Sequence, residues 1–375
     1  MSAKVVLISN TAWNVYNFRR SLIRKLQQNG QEVVAIAPPD DYAVRIAETG
    51  ARYIPLPMDN SGTNPWRDLK LWFSLRRIFR RERPGCVLSF TIKPNLYGAL
   101  AARSLGIPAI SNVSGLGTAF IKLNWVTWVV RGLYRAGLHA ASKVFFQNRD
   151  DLEFFVREGL VDKAKTALLP GSGVDVHSFA PMPAPVAPDR FRFLLHGRIM
   201  RDKGVGEYVE AASRIRRLRP ECEFAVMGFP DVLNASAITM AQIDEWVHRG
   251  TIVYVPPVDD VRAEIAKADC VVLPSYREGT PKSLLEAASM GKPVITTDVP
   301  GCRQVVDDGR TGFLGKVRDA ADLAEKMQRM MRLTRAEREA MGMRGREKMV
   351  REFDERIVLE TYARAVQEIL AGRLG

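Results

Sequence analysis

The chain is poor in the residues that build metal centres and disulfide frameworks. It has four cysteines, at positions 86, 222, 270 and 302, and four histidines among 375 residues. Neither set shows ligand or pairing spacing, which argues against a zinc site or a cysteine-stapled secreted fold and fits a reducing, cytoplasmic setting. Long apolar runs are also missing. Trp125–Val130 stops at Arg131, far short of the roughly 20 residues of a membrane helix. The N-terminus enters the strand-like VVLIS directly, so no signal peptide is expected. No strand leads into G-x-G-x-x-G with an acid about 20 residues on, which speaks against a nicotinamide-dependent oxidoreductase. The acidic pairs Asp40–Asp41, Asp150–Asp151, Asp259–Asp260 and Asp307–Asp308 read as helix starts or turns rather than strand ends. No metal or other cofactor is therefore expected.

What is present is a basic chain of ordinary globular composition, 46% apolar and 26% charged, with a net charge of +13. The charge is uneven. Residues 1–180 carry 24 Lys/Arg against 13 Asp/Glu, and the remainder 31 against 29. An anionic partner on the N-terminal side is one reading, and a solvated charged surface is the other. No nucleic-acid-binding motif accompanies the charge.

Short β-branched runs alternate with amphipathic stretches. Strands are expected at Val5–Ser9, Glu32–Ala37, Cys86–Phe90, Ala109–Val113 and Val144–Gln147, with helical stretches such as Phe18–Asn29 and Leu69–Arg83 between them. Phe179–Arg190 then carries Pro181, Pro183, Pro185 and Pro188 and reads as a linker. The pattern resumes with Phe191–Leu195, Phe224–Met227, Ile252–Val255, Cys270–Leu273 and Val294–Thr297 as strands, and Arg335–Leu370 reads as helix throughout. Continuous apolar strands alternating with helices imply parallel sheets covered on both faces. The expectation is α/β: two Rossmann-like, doubly wound domains facing across a cleft, at 1–180 and 181–355, with a helix at about 356–375 packing back on the first.

The segment PSYREGTPKSLLEAASMGKPVITTD, residues 274–298, is the most informative. A buried strand ends at Pro274, a polar loop follows, and a helix starts near Pro281, with Thr280 placed to cap it. Gly279 admits close backbone approach, and free amides near Ser283 and Leu284 at a helix N-terminus favour an anion, so a phosphate site is expected there. Glu278 and Glu286 flank it. Alone, such a pair reads first as a loop acid and a dipole-complementing acid; beside a phosphate site it suits the hydroxyls of a nucleotide sugar. A second cluster, HGRIMRDKG at 196–204, follows the first strand of the second domain. Arg198 and Lys203 there suit a diphosphate, Arg by bidentate bonds and Lys as a point charge.

Together these clusters resemble the retaining glycosyltransferase family 4 of the GT-B fold. The resemblance rests on GR-x4-KG at 197–204 and E-x7-E at Glu278/Glu286, with VDVHSFAP (174–181), ADCVVLPS (268–275) and DDGRTGFL (307–314) in support. It implies that Arg198, Lys203 and Glu278 form the catalytic set. Arg198 and Lys203 would hold the donor diphosphate, Glu278 the transferred hexose and Glu286 the ribose. Gly197, Gly279, Thr280, Pro281, Ser283 and Leu284 would complete the donor site, and Val255–Val258 would border the base. UDP is the preferred nucleotide of the family.

Within the family, ISNTAWNVYNFRR (8–20), TIKPNLYGALAA (91–102) and NVSGLGTAF (112–120) resemble enzymes that extend polyprenyl-diphosphate-linked sugars in bacterial surface-glycan or glycoprotein assembly. That resemblance implies a lipid-linked acceptor at the inner face of the cell membrane. The acceptor candidates are Arg19, Arg20, Lys93 and Ser114, and Asn14 would approach the donor phosphates. The stretch FIKLNWVTWVVRGLYR (120–135) has the composition of an interfacial helix and equally that of a core helix. Retention is expected by front-face attack, with the leaving diphosphate as base. The chain departs from the family pattern at Ala12–Trp13, Ser114, His196 and Gln304. The alternative is a glycosyltransferase acting on a soluble or other lipid acceptor; a nucleotide-sugar epimerase of the same architecture and a basic nucleic-acid-binding protein stand behind it.

Overall fold

The computed structural model describes residues 3–59, 64–115, 125–183, 190–230 and 236–372, the side chains of 125–129 excepted. The chain divides into two compact units, Met1–Ser172 with Arg356–Gly375, and Gly173–Glu355.

The first unit runs β1 (Lys4–Ile8), α1 (Ala12–Gln28), β2 (Glu32–Ala37), α2 (Ala43–Ile46), β3 (Arg52–Pro55), α3 (Pro65–Glu82), β4 (Cys86–Phe90), α4 (Ala99–Arg103), β5 (Ala109–Val113), α5 (Trp125–Ala140), β6 (Lys143–Phe146), α6 (Arg149–Arg157) and β7 (Thr166–Leu168). Its seven strands lie all parallel in the order β3-β2-β1-β4-β5-β6-β7. Val6 and Ile8 point into one core with α3, α4, α5 and α6, while Val5 and Leu7 point into the other with α1. That alternation is why the strand reads as unbroken apolar sequence. Local signals set the helix ends. Thr11 caps α1, and Asn64 and Pro65 start α3, which ends at Arg83 in a left-handed conformation before Pro84.

The second unit runs β8 (Arg192–His196), α7 (Val205–Arg216), β9 (Glu223–Met227), α8 (Met240–His248), β10 (Val253–Val255), α9 (Arg262–Lys267), β11 (Cys270–Leu273), α10 (Lys282–Ser289), β12 (Val294–Thr297), β13 (Gly312–Gly315), α11 (Ala320–Arg332) and α12 (Arg335–Lys348). Six parallel strands follow the order β10-β9-β8-β11-β12-β13. The strand order reverses beside β8, between β8 and β11, which is where open α/β sheets place ligands at the carboxyl ends.

Three details depart from the sequence expectation. Short edge strands β3, β7 and β13 add to both sheets. Asn14 lies in the first turn of α1, not in a loop, because the helix begins six residues before Phe18. The C-terminal helix is not continuous: a π-turn at Met349–Phe353 ends α12, Asp354 is extended, and α13 runs Glu355–Leu370. The break is tertiary in origin. Val174 N donates to the Phe353 carbonyl and Glu355 N to the Val174 carbonyl, both at 2.9 Å, and these bonds take the backbone out of the helical ladder. Beyond the break, Val358, Tyr362, Val366 and Ile369 of α13 join the core of the first unit that contains α1. Of the proline-rich stretch, 184–189 falls outside the described residues.

Candidate functional site

The loops after β8 and β11 leave neighbouring strands, since Cys270 pairs with Phe193 and Val271 with Leu194. The β8 loop makes one 3-10 turn, Arg201–Lys203, and passes through Gly204 at φ +72 into α7. A Cβ on Gly204 would lie 2.0 Å from the Pro274 carbonyl oxygen. Only glycine allows the two loops to approach this closely.

That approach brings together two residues expected to serve different parts of a ligand. Lys203 Nζ forms an ion pair with Glu278 Oε1. Ser275 Oγ donates to the same oxygen at 2.7 Å and is fully buried. Thr297 Oγ1 donates to the Ser275 carbonyl, and Tyr276 N to the Asp202 carbonyl at 2.9 Å. Glu278 is therefore held from below by a buried hydroxyl and from the side by a cation. Gly301, at φ +84, packs so tightly under this loop that a Cβ would sit 2.4 Å from the Glu278 carbonyl oxygen.

The helix start differs from expectation. Pro281, extended at ψ 113, is itself the N-cap of α10, and no side chain caps it. Thr280 Oγ1 bonds the Gly279 carbonyl instead. The Leu284 amide donates to the Pro281 carbonyl at 3.1 Å, so it is not a free anion donor; the Ser283 amide makes no hydrogen bond among the described residues. Glu286, buried, lies one turn further on with Lys282 Nζ 3.7 Å from Oε1. His196 closes the base of the group: its Nε2 donates to the Ser283 carbonyl at 3.2 Å, and burial lowers its pKa although Glu286 opposes the shift. Arg198 is exposed beside Gly197, and Gly228 N donates to the half-buried Val255's carbonyl at 3.2 Å. The structure thus gathers Lys203, Glu278, Ser283 and Glu286 at the carboxyl ends of β8 and β11.

Sequence reasoning did not find Ser275, Thr297 or the pair Tyr276–Glu207, in which Tyr276 OH donates at 2.6 Å and is pushed up to about 12 by burial and by that carboxylate. Ser275 stands in the ADCVVLPS run, but nothing local marks its hydroxyl as a partner of Glu278.

The N-terminal candidates do not gather in the same way. Lys93 is committed to buried Asp68, 2.6 Å from its Oδ1, and Tyr97 OH donates to the other carboxylate oxygen at 2.9 Å. Arg19 is buried, its guanidinium 3.9 Å from the Phe90 ring centroid; its Nη1 reaches Ser172 Oγ at only 3.5 Å, and its Nε has no partner among the described residues. Burial lowers its pKa. Arg20 and Ser114 are exposed. Asn14 accepts from Ser9 Oγ at 3.0 Å, at the carboxyl end of β1. Of 120–135, residues 120–124 and the side chains of Trp125 and Trp128 lie outside the described residues; Tyr134 is core and Arg131 pairs with Glu158.

Among the described residues, no group of three His, Cys, Asp or Glu is arranged to hold a metal, and no helix is long and apolar enough to cross a membrane.

Comparison with known proteins places two family domains on the two units. Residues 17–172 match the glycosyl transferase 4-like domain, and residues 190–332 match glycosyl transferases group 1. The chain is 28% identical over 340 residues to the N,N'-diacetylbacillosaminyl-diphospho-undecaprenol alpha-1,3-N-acetylgalactosaminyltransferase of Campylobacter jejuni, covering 86% of this chain and 88% of that protein. It is 26% identical to the UDP-Gal:alpha-D-GlcNAc-diphosphoundecaprenol alpha-1,3-galactosyltransferase of Escherichia coli, over 68% of each. Among solved structures, sucrose-phosphate synthase from Thermosynechococcus elongatus superposes with a TM-score of 0.82 at 20% identity, covering 99% of this chain and 100% of that one. A UDP-N-acetylglucosamine 2-epimerase from Listeria monocytogenes, putative by its description, does so at 0.69 and 16%, covering 100% and 99%. Fold alone therefore does not separate transferase from epimerase.

Proposed function

Because this chain belongs to the glycosyltransferases, with their 4-like domain in its first unit and their group 1 domain in its second and the GT-B fold overall, we propose that it transfers a hexose or N-acetylhexosamine, with retention, from a UDP-sugar to a polyprenyl-diphosphate-linked sugar. The observation that carries the donor half is the convergence of Lys203, Glu278, Glu286 and the Ser283 amide at the ends of β8 and β11. It supplies a cation and a helix N-terminus for a diphosphate, and one carboxylate on each side for sugar hydroxyls. The UDP preference and the lipid-linked acceptor draw on the two relatives named above, one of which takes UDP-Gal.

The donor diphosphate lies against Arg198, Lys203 and the α10 N-terminus. As the glycosidic bond to the phosphate breaks, charge grows on the leaving oxygen, and these groups stabilise it where it forms. The leaving phosphate takes the proton of the incoming hydroxyl on the same face of the sugar. Glu278, already engaged by Ser275 and Lys203, holds a hydroxyl of the hexose rather than attacking its anomeric carbon, which supports front-face attack over a covalent intermediate. Ion pairing with Lys203 is exchanged for phosphate contact when the donor enters. No metal is needed in this scheme. The surplus of basic residues in the first unit supports an acceptor presented at an anionic membrane surface, where the enzyme would act as a peripheral protein.

The test is nucleotide release from a panel of UDP- and GDP-sugars, with and without a polyprenyl-diphosphate-linked sugar. Release from one UDP-sugar that requires the lipid-linked acceptor is expected. Epimerised sugar released without any acceptor would establish the rival reading.

A further inference from the structure

Helix α3 turns two unlike faces outward and inward. Asp68, Leu71, Leu75, Phe79 and Glu82 are buried. Opposite them, Trp66 is 79% exposed, Phe73 54% and Leu69 45%. At 100° per residue these three fall within about 60° of one another, and Lys70, Arg77 and Arg80 fall within the same sector or at its edge. Trp66, Leu69, Lys70, Phe73 and Arg77 line one shallow groove along the helix.

The charge on this face has one sign. The acids of α3 both point inward: Asp68 to Lys93 and Tyr97, Glu82 to Lys4 at 3.2 Å and to Arg52. Lys70, Arg77 and Arg80 have no acidic partner among the described residues. The pattern continues sideways. Arg76 Nε on α3 donates to Ser104 Oγ, just past α4, at 3.2 Å, and exposed Arg103 and Arg135 line the groove between α4 and α5.

We propose that the outer face of α3 docks on an anionic phospholipid bilayer, with Trp66, Leu69 and Phe73 entering the interface and Lys70, Arg77 and Arg80 meeting the headgroups. A row of aromatic and aliphatic side chains flanked by cations without acidic partners, with both acids of the helix turned inward, matches that surface. A second copy of the chain would bring the same cations against one another. An acidic protein would account for the cations but not for a bare tryptophan and phenylalanine on a narrow stripe. The inference deepens the proposed function, resting on its lipid-linked acceptor for purpose but not for evidence: it assigns the surface contact to α3, an element apart from the donor site.

The experiment is vesicle sedimentation of the full chain with phosphatidylcholine alone and mixed with phosphatidylglycerol. W66A/F73A and R77E/R80E are each expected to lower partitioning onto the mixed vesicles by about tenfold or more. R249E, on an exposed helix end of the second unit, leaves partitioning unchanged. Thermal unfolding confirms that the variants are folded, and turnover on a short-chain, water-soluble acceptor diphosphate should equal wild type. Wild-type partitioning of both α3 variants overturns the proposal. So does a W66A/F73A effect seen only as loss of a dimer in sedimentation velocity. Partitioning that depends on α3 in an enzyme with no turnover on any lipid-linked acceptor would sink the proposed function and leave the docking face standing.

Discussion

Lys203 and Glu278, 75 residues apart in sequence, hold each other across the loops that follow β8 and β11. The two were expected to touch different parts of a substrate, so the pair makes their roles separable by experiment. Lys203→Ala and Glu278→Ala should each lower kcat/KM for the nucleotide sugar by about 100-fold or more. If both groups act on the donor in the transition state, the double variant loses much more than either single one. If Lys203 serves only to hold Glu278, the double variant matches the worse single variant. Steady-state kinetics on the four proteins decide.

Glu286→Ala should act on binding. Loss of a charged hydrogen bond to a ribose hydroxyl costs about 1.5–3 kcal/mol, seen as a rise of roughly 10- to 150-fold in the UDP dissociation constant by calorimetry. Unchanged UDP affinity would remove Glu286 from the donor site.

Gly301 supports the same loop from beneath. Gly301→Ala forces a Cβ to within 2.4 Å of the Glu278 carbonyl at a φ of +84. A loss of about 2–4 kcal/mol in stability is expected by denaturant unfolding, with a fall in turnover beyond what unfolding explains.

Arg19 offers a test that separates binding from packing. It is a buried cation stacked on Phe90, and among the described residues no carboxylate is paired with it. Replacing such a charge by an apolar chain of similar length costs little, so Arg19→Met should stay within about 1 kcal/mol of wild type in stability while raising KM for the acceptor. A large fall in melting temperature with acceptor KM unchanged would make Arg19 a brace and nothing more.

The stability of the first unit should depend on acid pH through Glu82. Burial alone would raise its pKa, but hydrogen bonds from Arg52, Lys4 and Arg81 outweigh it and hold the carboxyl at about 2 against an ordinary 4.5. The folded state therefore binds this proton less readily than the unfolded one. The stabilisation is full above pH 4.5 and is lost as pH falls toward 2; solvent screening of the exposed Arg52 and Arg81 holds it to about 1–2 kcal/mol. Glu82→Gln should unfold more easily at pH 7 and show a flatter acid limb; an identical pH profile would contradict the assignment.

How legible these features were depends on whether their cause is local. Cys270–Leu273 announces itself because a strand buried on both faces has no polar residue to interrupt it, and Cys86–Phe90 reads the same way with Ser89 alone breaking the apolar run. β3 and β7 do not, since edge strands such as Arg52–Pro55 bury only one residue fully. The loops after β8 and β11 were found through glycines and a helix start, which are backbone requirements written in sequence. Ser275 beneath Glu278, Asp68 against Lys93 and the pairing of Val174 with Phe353 join distant positions, and no local rule encodes them. Thr280 was misread for a subtler reason: a proline without an N–H, held extended, itself fills the cap position.

The return of α13 to the first unit sets an order of assembly. During synthesis the first seven strands emerge long before residues 356–375, yet Tyr362, Val366 and Ile369 belong to the core that Val5, Leu7 and Phe145 begin. The unit made first is the one finished last. Until residues 356–375 have emerged and folded, the part of that apolar face not covered by α1 stays open, while the strands of the second unit's sheet have already been made. A nascent chain of this enzyme is thus most exposed to chaperones, and to aggregation, through its oldest part.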